Sequence, residues 1–217
     1  MRGSHTAMEE IGSREGEVDI YCFQEVGMGE GDKFYSLDGY EIIGGVGGFI
    51  KKDKGSVVSM VISKRWKGRH KVLDRRQWKI GVRLELEEGK MVDIWNVYLR
   101  QGEHEGCLES MSGGGNVVWM GDFNTWSKRW GGEEKVRNRE GELVEDWMDE
   151  WGLKVVNEVG KGTRYDERSG RERVLDLMVV GGGVKGRVEV GEGVVGMDHK
   201  MLEAEVEVEG WIVEEKG

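Results

Sequence analysis

Ten short stretches of this chain either alternate apolar with polar side chains or run rich in β-branched residues: 18–26, 46–51, 57–63, 79–86, 91–99, 116–121, 153–157, 174–180, 187–190 and 201–208. A period of two puts one side of each stretch into a core, which is the signature of β-strands. So many strands in 217 residues leave room for few helices. The best helical stretch is 140–151, where Leu143, Val144, Trp147, Met148 and Trp151 share a face and Gly152 follows as a stop. Shorter candidates are 103–111 and 6–14, the latter with Thr6 and Glu9 as a capping box. The pattern predicts an α/β (α+β) fold of two packed sheets flanked by helices. Residues 18–210 read as one domain, 1–17 as a leader with a remnant helix, and 211–217 as a tail.

Composition narrows the function. The chain has no proline and 37 glycines, so its loops lack the fixed φ of proline. Threonine occurs only at Thr6, Thr125 and Thr163. No apolar run approaches the roughly 20 residues of a membrane helix, and the N-terminus has no apolar signal core. Cys22 and Cys107 make no disulfide framework. Cys22 reads as a buried thiol, and a reducing compartment is expected. The glycine clusters at 44–48, 113–115 and 181–183 precede no Lys-Ser/Thr, so none is a phosphate loop. Net charge is −10, which opposes nucleic-acid binding. One segment runs the other way: Lys64, Arg65, Lys67, Arg69, Lys71, Arg75, Arg76 and Lys79 crowd together, interleaved with Trp66 and Trp78. It reads either as a hairpin gripping a phosphate backbone, through Arg65, Arg69, Arg75 and Arg76, or as a solvated strand connection.

Five segments place polar groups at or just past the ends of apolar runs: Cys22-Phe23-Gln24-Glu25, Trp95-Asn96-Val97-Tyr98, Gly121-Asp122-Phe123-Asn124, Arg173-Val174-Leu175-Asp176 and Asp198-His199. Strand ends converging on one sheet edge are a rigid way to gather distant groups. The donor set is acidic and oxygen-rich, with one imidazole and no thiolate, which suits Mg²⁺ and phosphate esters better than zinc or covalent cysteine chemistry.

In order and spacing these motifs resemble the endonuclease/exonuclease/phosphatase superfamily of Mg²⁺-dependent phosphodiesterases. Within it the likeness is greatest to the apurinic-like endonuclease domain of LINE-type, non-LTR retrotransposons. The stretch from Val117 to Asn157 carries most of it, with the GDFN turn, Trp126, Trp130-Gly131 and Asn138-Arg139-Glu140-Gly141. The resemblance implies a four-layer sandwich of two mixed, largely antiparallel sheets between helices. It also implies roles. Glu25 and Asp198 would hold Mg²⁺ or Mn²⁺, and Asp122 would deprotonate the attacking water. Asn124 and Tyr98 would bind the scissile phosphate. His199, held by Asp176, would stabilise charge on the phosphoryl oxygens. The implied partner is DNA, the implied location intracellular and nuclear, and the product a nick with a 3′-hydroxyl. Three departures stand out. The family's first strand carries an asparagine, whereas residues 1–17 contain none, so that strand is expected to be missing. Met197 stands where the family commonly has serine before Asp-His, and Arg173 where serine often precedes Leu/Ile-Asp. Two rival readings follow: a phosphatase of small phosphoesters on the same fold, and a catalytically decayed relic or binding domain.

Overall fold

The computed structural model describes residues 17–25, 39–44, 58–132, 138–166, 170–193 and 198–209. Its strands in chain order are β1 (Ile20–Phe23), β2 (Tyr40–Gly44), β3 (Ser59–Ser63), β4 (His70–Arg75), β5 (Lys79–Glu85), β6 (Met91–Tyr98), β7 (Val117–Asp122), β8 (Lys154–Val155), β9 (Arg164–Asp166), β10 (Arg171–Arg173), β11 (Asp176–Gly181), β12 (Val184–Gly193) and β13 (Lys200–Val208). The helices are α1 (His104–Leu108), α2 (Lys128–Gly131) and α3 (Arg139–Trp151). The strand expected at 46–51 and the helix expected at 6–14 lie outside the described residues, as do the tail and most of the leader.

A six-stranded sheet, in the order β4-β5-β6-β7-β11-β8, forms the centre. Its pairings are antiparallel except β6 with β7, which are parallel and joined by the crossover that contains α1. The fold class is therefore mixed α/β, dominated by strands. Because successive side chains point to opposite faces, the central strands feed two apolar clusters. Val117, Trp119, Leu177 and Val179 face the helices, packing with Trp130, Val144, Trp147 and Met148. Val118, Met178 and Val180 face the other way, toward Met60 and Ile62 of β3, Cys22 of β1, and Val188 and Ala204 of the β12–β13 ribbon. The second layer thus holds a three-stranded sheet, β1-β3-β2, and that ribbon. Burial pushes the Cys22 thiol up to about 12.

Helix α3 begins where the sequence signals it. Asn138 caps it, its Oδ1 accepting from Gly141 N at 2.9 Å, and Glu140 and Glu142 occupy the first turn. The same oxygen accepts from Trp126 N at 3.0 Å, so the cap also ties down the loop that follows β7. Gly141 must be small here: a Cβ would lie 2.0 Å from the Trp126 carbonyl oxygen. The helix stops at Gly152.

The two layers are joined by one fully buried amide. Asn96, in β6, is 0% exposed. Its Nδ2 donates to the carbonyls of Phe23 (3.0 Å) and Ser59 (2.8 Å), and its Oδ1 accepts from Gln24 Nε2 (2.6 Å). It therefore holds β1 and β3 in register with the central sheet, just before Glu25. Replacing it with an isosteric apolar side chain strands three polar partners, each worth about 1–3 kcal/mol when buried unpaired. Asn96→Leu is expected to lower unfolding free energy by about 3 kcal/mol in urea titrations. A change under about 0.5 kcal/mol, the usual scatter of surface substitutions, would mean the tie is not needed.

Candidate active site

The acidic groups meet at the end of the central sheet where β6 and β7 finish and β11 begins. Register builds the arrangement. Tyr98 lies beside Asp122 across the parallel β6–β7 pair, and Asp122 lies opposite Asp176 across the antiparallel β7–β11 pair. Gly121 makes the turn out of β7 possible. Its φ is 134°, and a Cβ there would lie 2.0 Å from the Val97 carbonyl oxygen. Asn124 sits in the left-handed region at φ 49° and folds back on Asp122: its N–H donates to Oδ1 at 2.8 Å and its Nδ2 to Oδ2 at 3.0 Å. Glu25 also has a positive φ, 53°, and accepts a hydrogen bond from the Tyr98 hydroxyl. Strained backbone at two of the collected residues fits a site whose surroundings over-determine it.

His199 reaches the group from the other side. Its Nδ1 lies 2.9 Å from Asp176 Oδ2 and 3.1 Å from Oδ1. A carboxylate accepts only, so Nδ1 carries the proton and Nε2 is left facing away from Asp176. Burial alone would pull the imidazole down. The hydrogen bond to Asp176 and the charges of Asp176, Asp122 and Asp198 outweigh it and raise its pKa. Asp122 is pushed up to about 7, first by burial and then by the Asp176 charge, against the opposing pull of His199 and the Asn124 N–H. One ligand atom from each of Asp122, Asp176 and His199 falls within a 4.8 Å cluster. Glu25 adds its charge to the field at Asp122, and an oxygen-rich set of this kind fits a hard divalent cation.

The sequence-expected residues divide accordingly. Glu25, Tyr98, Asp122, Asn124, Asp176 and His199 form one chain of contacts and register neighbours. Asp198 follows the chain to this end but is 58% exposed, and its carboxylate pairs with Arg164 at 2.7 Å. The basic segment is divided by the sheet. Arg75 pairs with Ile80, which lies beside Asn96, so Arg75 and Arg76 are at the site's end of the strands. Arg65 and Arg69 are at the opposite end, beyond Glu85 and Met91, roughly 20 Å along the strand from Tyr98. Arg65 is engaged there by Asp19. Lys79 is buried between Trp78 and Trp95, with Nζ 2.7 Å from the Ser110 carbonyl oxygen, so it braces the edge of the sheet rather than facing solvent.

Two further residues hold the site together. The Thr163 hydroxyl accepts from the N–H groups of Leu175 (3.1 Å) and Asp176 (3.0 Å), while the Thr163 carbonyl accepts from Lys200 N, one residue after His199. Asn157 donates to the Asp176 carbonyl oxygen at 3.1 Å and accepts from Met178 N at 2.8 Å. Thr163 stood out in the sequence by its rarity, in a chain with three threonines, and by its place in Gly162-Thr163-Arg164, which continues the family-like motifs. At the rim, Arg173 stacks over the Trp126 ring at 4.3 Å, adding a cation beside the acidic cluster.

With this geometry in view, known proteins supply a comparison. The sequence model of a family described as endonuclease-reverse transcriptase matches residues 92–203. No curated protein matches in sequence. Among solved structures, the endonuclease domain of TRAS1, a telomere-specific non-LTR retrotransposon, superposes with a TM-score of 0.68 at 16% identity, over 95% of this chain and 92% of that one. An endonuclease/exonuclease/phosphatase family protein from Leptotrichia buccalis C-1013-b gives 0.60 at 13% identity, over 97% and 93%. An endonuclease/exonuclease/phosphatase from Beutenbergia cavernae DSM 12333 gives 0.58 at 14%, over 97% and 67%. The fold is that of the endonuclease/exonuclease/phosphatase proteins.

The proton affinities make the site's pH response testable. A carboxyl raised from 3.8 to about 7 holds its proton more tightly folded than unfolded. Stability therefore falls as pH rises through that window, and the raised His199 pKa acts in the same direction. Metal-free protein is expected to lose stability between about pH 5 and about pH 7, with Asp122→Asn flattening that loss. Millimolar Mg²⁺ or Mn²⁺, competing with the proton, is expected to raise Tm more at about pH 8 than at about pH 5.5. Equal shifts at both would show that the cation binds elsewhere.

Proposed function

The chain belongs to the endonuclease–reverse transcriptase family, and on that premise we propose that it is a metal-dependent phosphodiesterase that nicks DNA and leaves a 3′-hydroxyl. The observation that carries this reading is the Asp176–His199 pair beside Asp122, at the same strand ends as the Tyr98–Glu25 hydrogen bond. Residues 18–210 would be the nuclease unit.

In this reading Asp122 accepts a proton from the attacking water through a carboxylate oxygen. Asn124 Nδ2 turns from Asp122 to donate to a phosphate oxygen, and the Tyr98 hydroxyl supports that phosphate from β6. Asp176 fixes the tautomer of His199, so Nε2 faces the phosphoryl group, where a protonated ring donates to developing charge. Glu25 and Asp198 would hold Mg²⁺ or Mn²⁺, and the carboxylates of Asp122 and Asp176 lie close enough together to add oxygen donors. Such an ion supplies charge neutralisation at the phosphoryl oxygens. By the same family resemblance the nucleus is the expected place of action.

Supercoiled plasmid with Mg²⁺ is the direct assay. Asp122→Ala and His199→Ala are each expected to slow nicking by about 10²–10⁴-fold. Nicking that survives both would refute the assignment. Turnover of small phosphoesters in place of DNA would favour a phosphatase of the same fold, and no turnover at all a decayed relic.

The division of the basic segment sharpens the expectation for how DNA is held. Arg75→Ser with Arg76→Ser is expected to weaken duplex binding and lower its salt slope by about 0.9 for each phosphate left without its cation. Arg65→Ser with Arg69→Ser, at the far end, should change it much less. The reverse ranking in a salt titration would put the DNA track on the other end of the sheet.

A further inference from the structure

We propose that His104 is a positioning residue for the catalytic turn, acting through a single peptide unit. This inference rests on the nuclease reading above for its effect on rate, but not for its geometry. His104 opens α1, six residues beyond Tyr98, and is 1% exposed. Its Nε2 lies 2.7 Å from the carbonyl oxygen of Phe123, and its Nδ1 is buried without a hydrogen-bond partner.

A carbonyl oxygen only accepts, so Nε2 is the nitrogen that donates, and Nδ1 meets no partner. An apolar side chain would fill the same space without leaving Nδ1 unpaired. The one polar contact the ring does make falls on a decisive group. The Phe123 carbonyl and the Asn124 N–H belong to the same rigid peptide plane. One end of that plane accepts from His104, and the other end donates to Asp122 Oδ1 at 2.8 Å. The neighbouring backbone is anchored as well: the Asp122 carbonyl accepts from Leu99 N, and Phe123 N donates to the Leu175 carbonyl, at 2.8 and 2.9 Å. His104 reaches the turn from a helix, whereas the backbone bonds to residues 122 and 123 come from residues at the strand ends of the central sheet. It sets the rotation of the 123–124 peptide and so the direction in which Asn124, at φ 49°, presents its side chain. Hydrogen bonds in series also polarise one another, so a donor at the carbonyl strengthens the N–H at the other end.

The test has an arm that needs no activity. In the unaltered protein, long-range proton–nitrogen correlation is expected to show His104 protonated at Nε2. The Asn124 amide proton should be shifted downfield, as for a donor to a carboxylate. Protonation at Nδ1 instead would overturn the proposal, whatever any variant does. Two substitutions then separate the hydrogen bond from the bulk. His104→Gln puts an amide N–H near the Nε2 position, and His104→Phe keeps a ring without a donor. His104→Phe should move the Asn124 amide upfield and lower kcat for plasmid nicking by about 10–100-fold, with KM within about twofold. His104→Gln should restore the amide shift and bring kcat back to within about threefold. An unchanged Asn124 amide in His104→Phe would overturn the relay, and so would a His104→Gln variant as impaired as His104→Phe. A parent that binds Mg²⁺ but does not nick would sink the nuclease reading, while the tautomer and the amide shift would still decide the role of His104.

Discussion

The site depends on the pairing register of β7 and β11. Asp122 and Asp176 are direct cross-strand partners, and a shift of one residue would send one carboxylate to the opposite face of the sheet. The register is fixed by packing on both faces. Trp119 and Val179 are locked among the helices, and Val118 and Val180 face the second layer. Each strand is apolar along nearly its whole length and turns acidic only at its end. Hydrophobic burial therefore aligns the strands, and the carboxylates are carried into contact as a consequence. Burial, and after it the charge of Asp176, lifts Asp122 to about 7, which makes the pocket receptive to a proton or a cation.

Around that pair the support is mostly backbone held by small polar side chains. Thr163 grips the N–H groups of Leu175 and Asp176, and the segment around it pairs with His199. One residue thus sets both halves of the Asp176–His199 pair. Asn157 holds Asp176 from β8's side, and Asn96 ties the strand that delivers Glu25 to the central sheet. Buried amides and hydroxyls suit this task because each must be satisfied and each accepts only a narrow set of directions.

Much of this was legible in the residues. The strands β3, β5, β6, β7 and β11 were expected because buried strands need runs of β-branched and apolar residues. Helix α3 was expected because its cap, its apolar face and its glycine stop all agree. Strands β2, β9 and β10 were not. Strands β9 and β10 have three residues each, and β10 reads Arg-Glu-Arg with no apolar side. Strand β4 was seen only as a basic hairpin candidate. Its alternation is interrupted by a bulge between Val72 and Asp74, so its pattern slips out of phase.

The sequence by itself determined the chemistry of the site. The acidic, oxygen-rich residue types and their attachment to strand ends follow from local pattern, because a strand's period and its terminus are properties of adjacent residues. It also determined that this chemistry suits phosphate esters and a hard cation. Only the tertiary structure decided which of those groups touch. It turned the Asp198 carboxylate to Arg164, buried Lys79 and sent Arg65 and Arg69 to the far end of the sheet. It also brought His104 onto the Phe123 carbonyl. Those outcomes are set by strand order and by which face a helix covers. Both depend on residues tens of positions apart competing to bury the same apolar surface, and no local pattern records that competition.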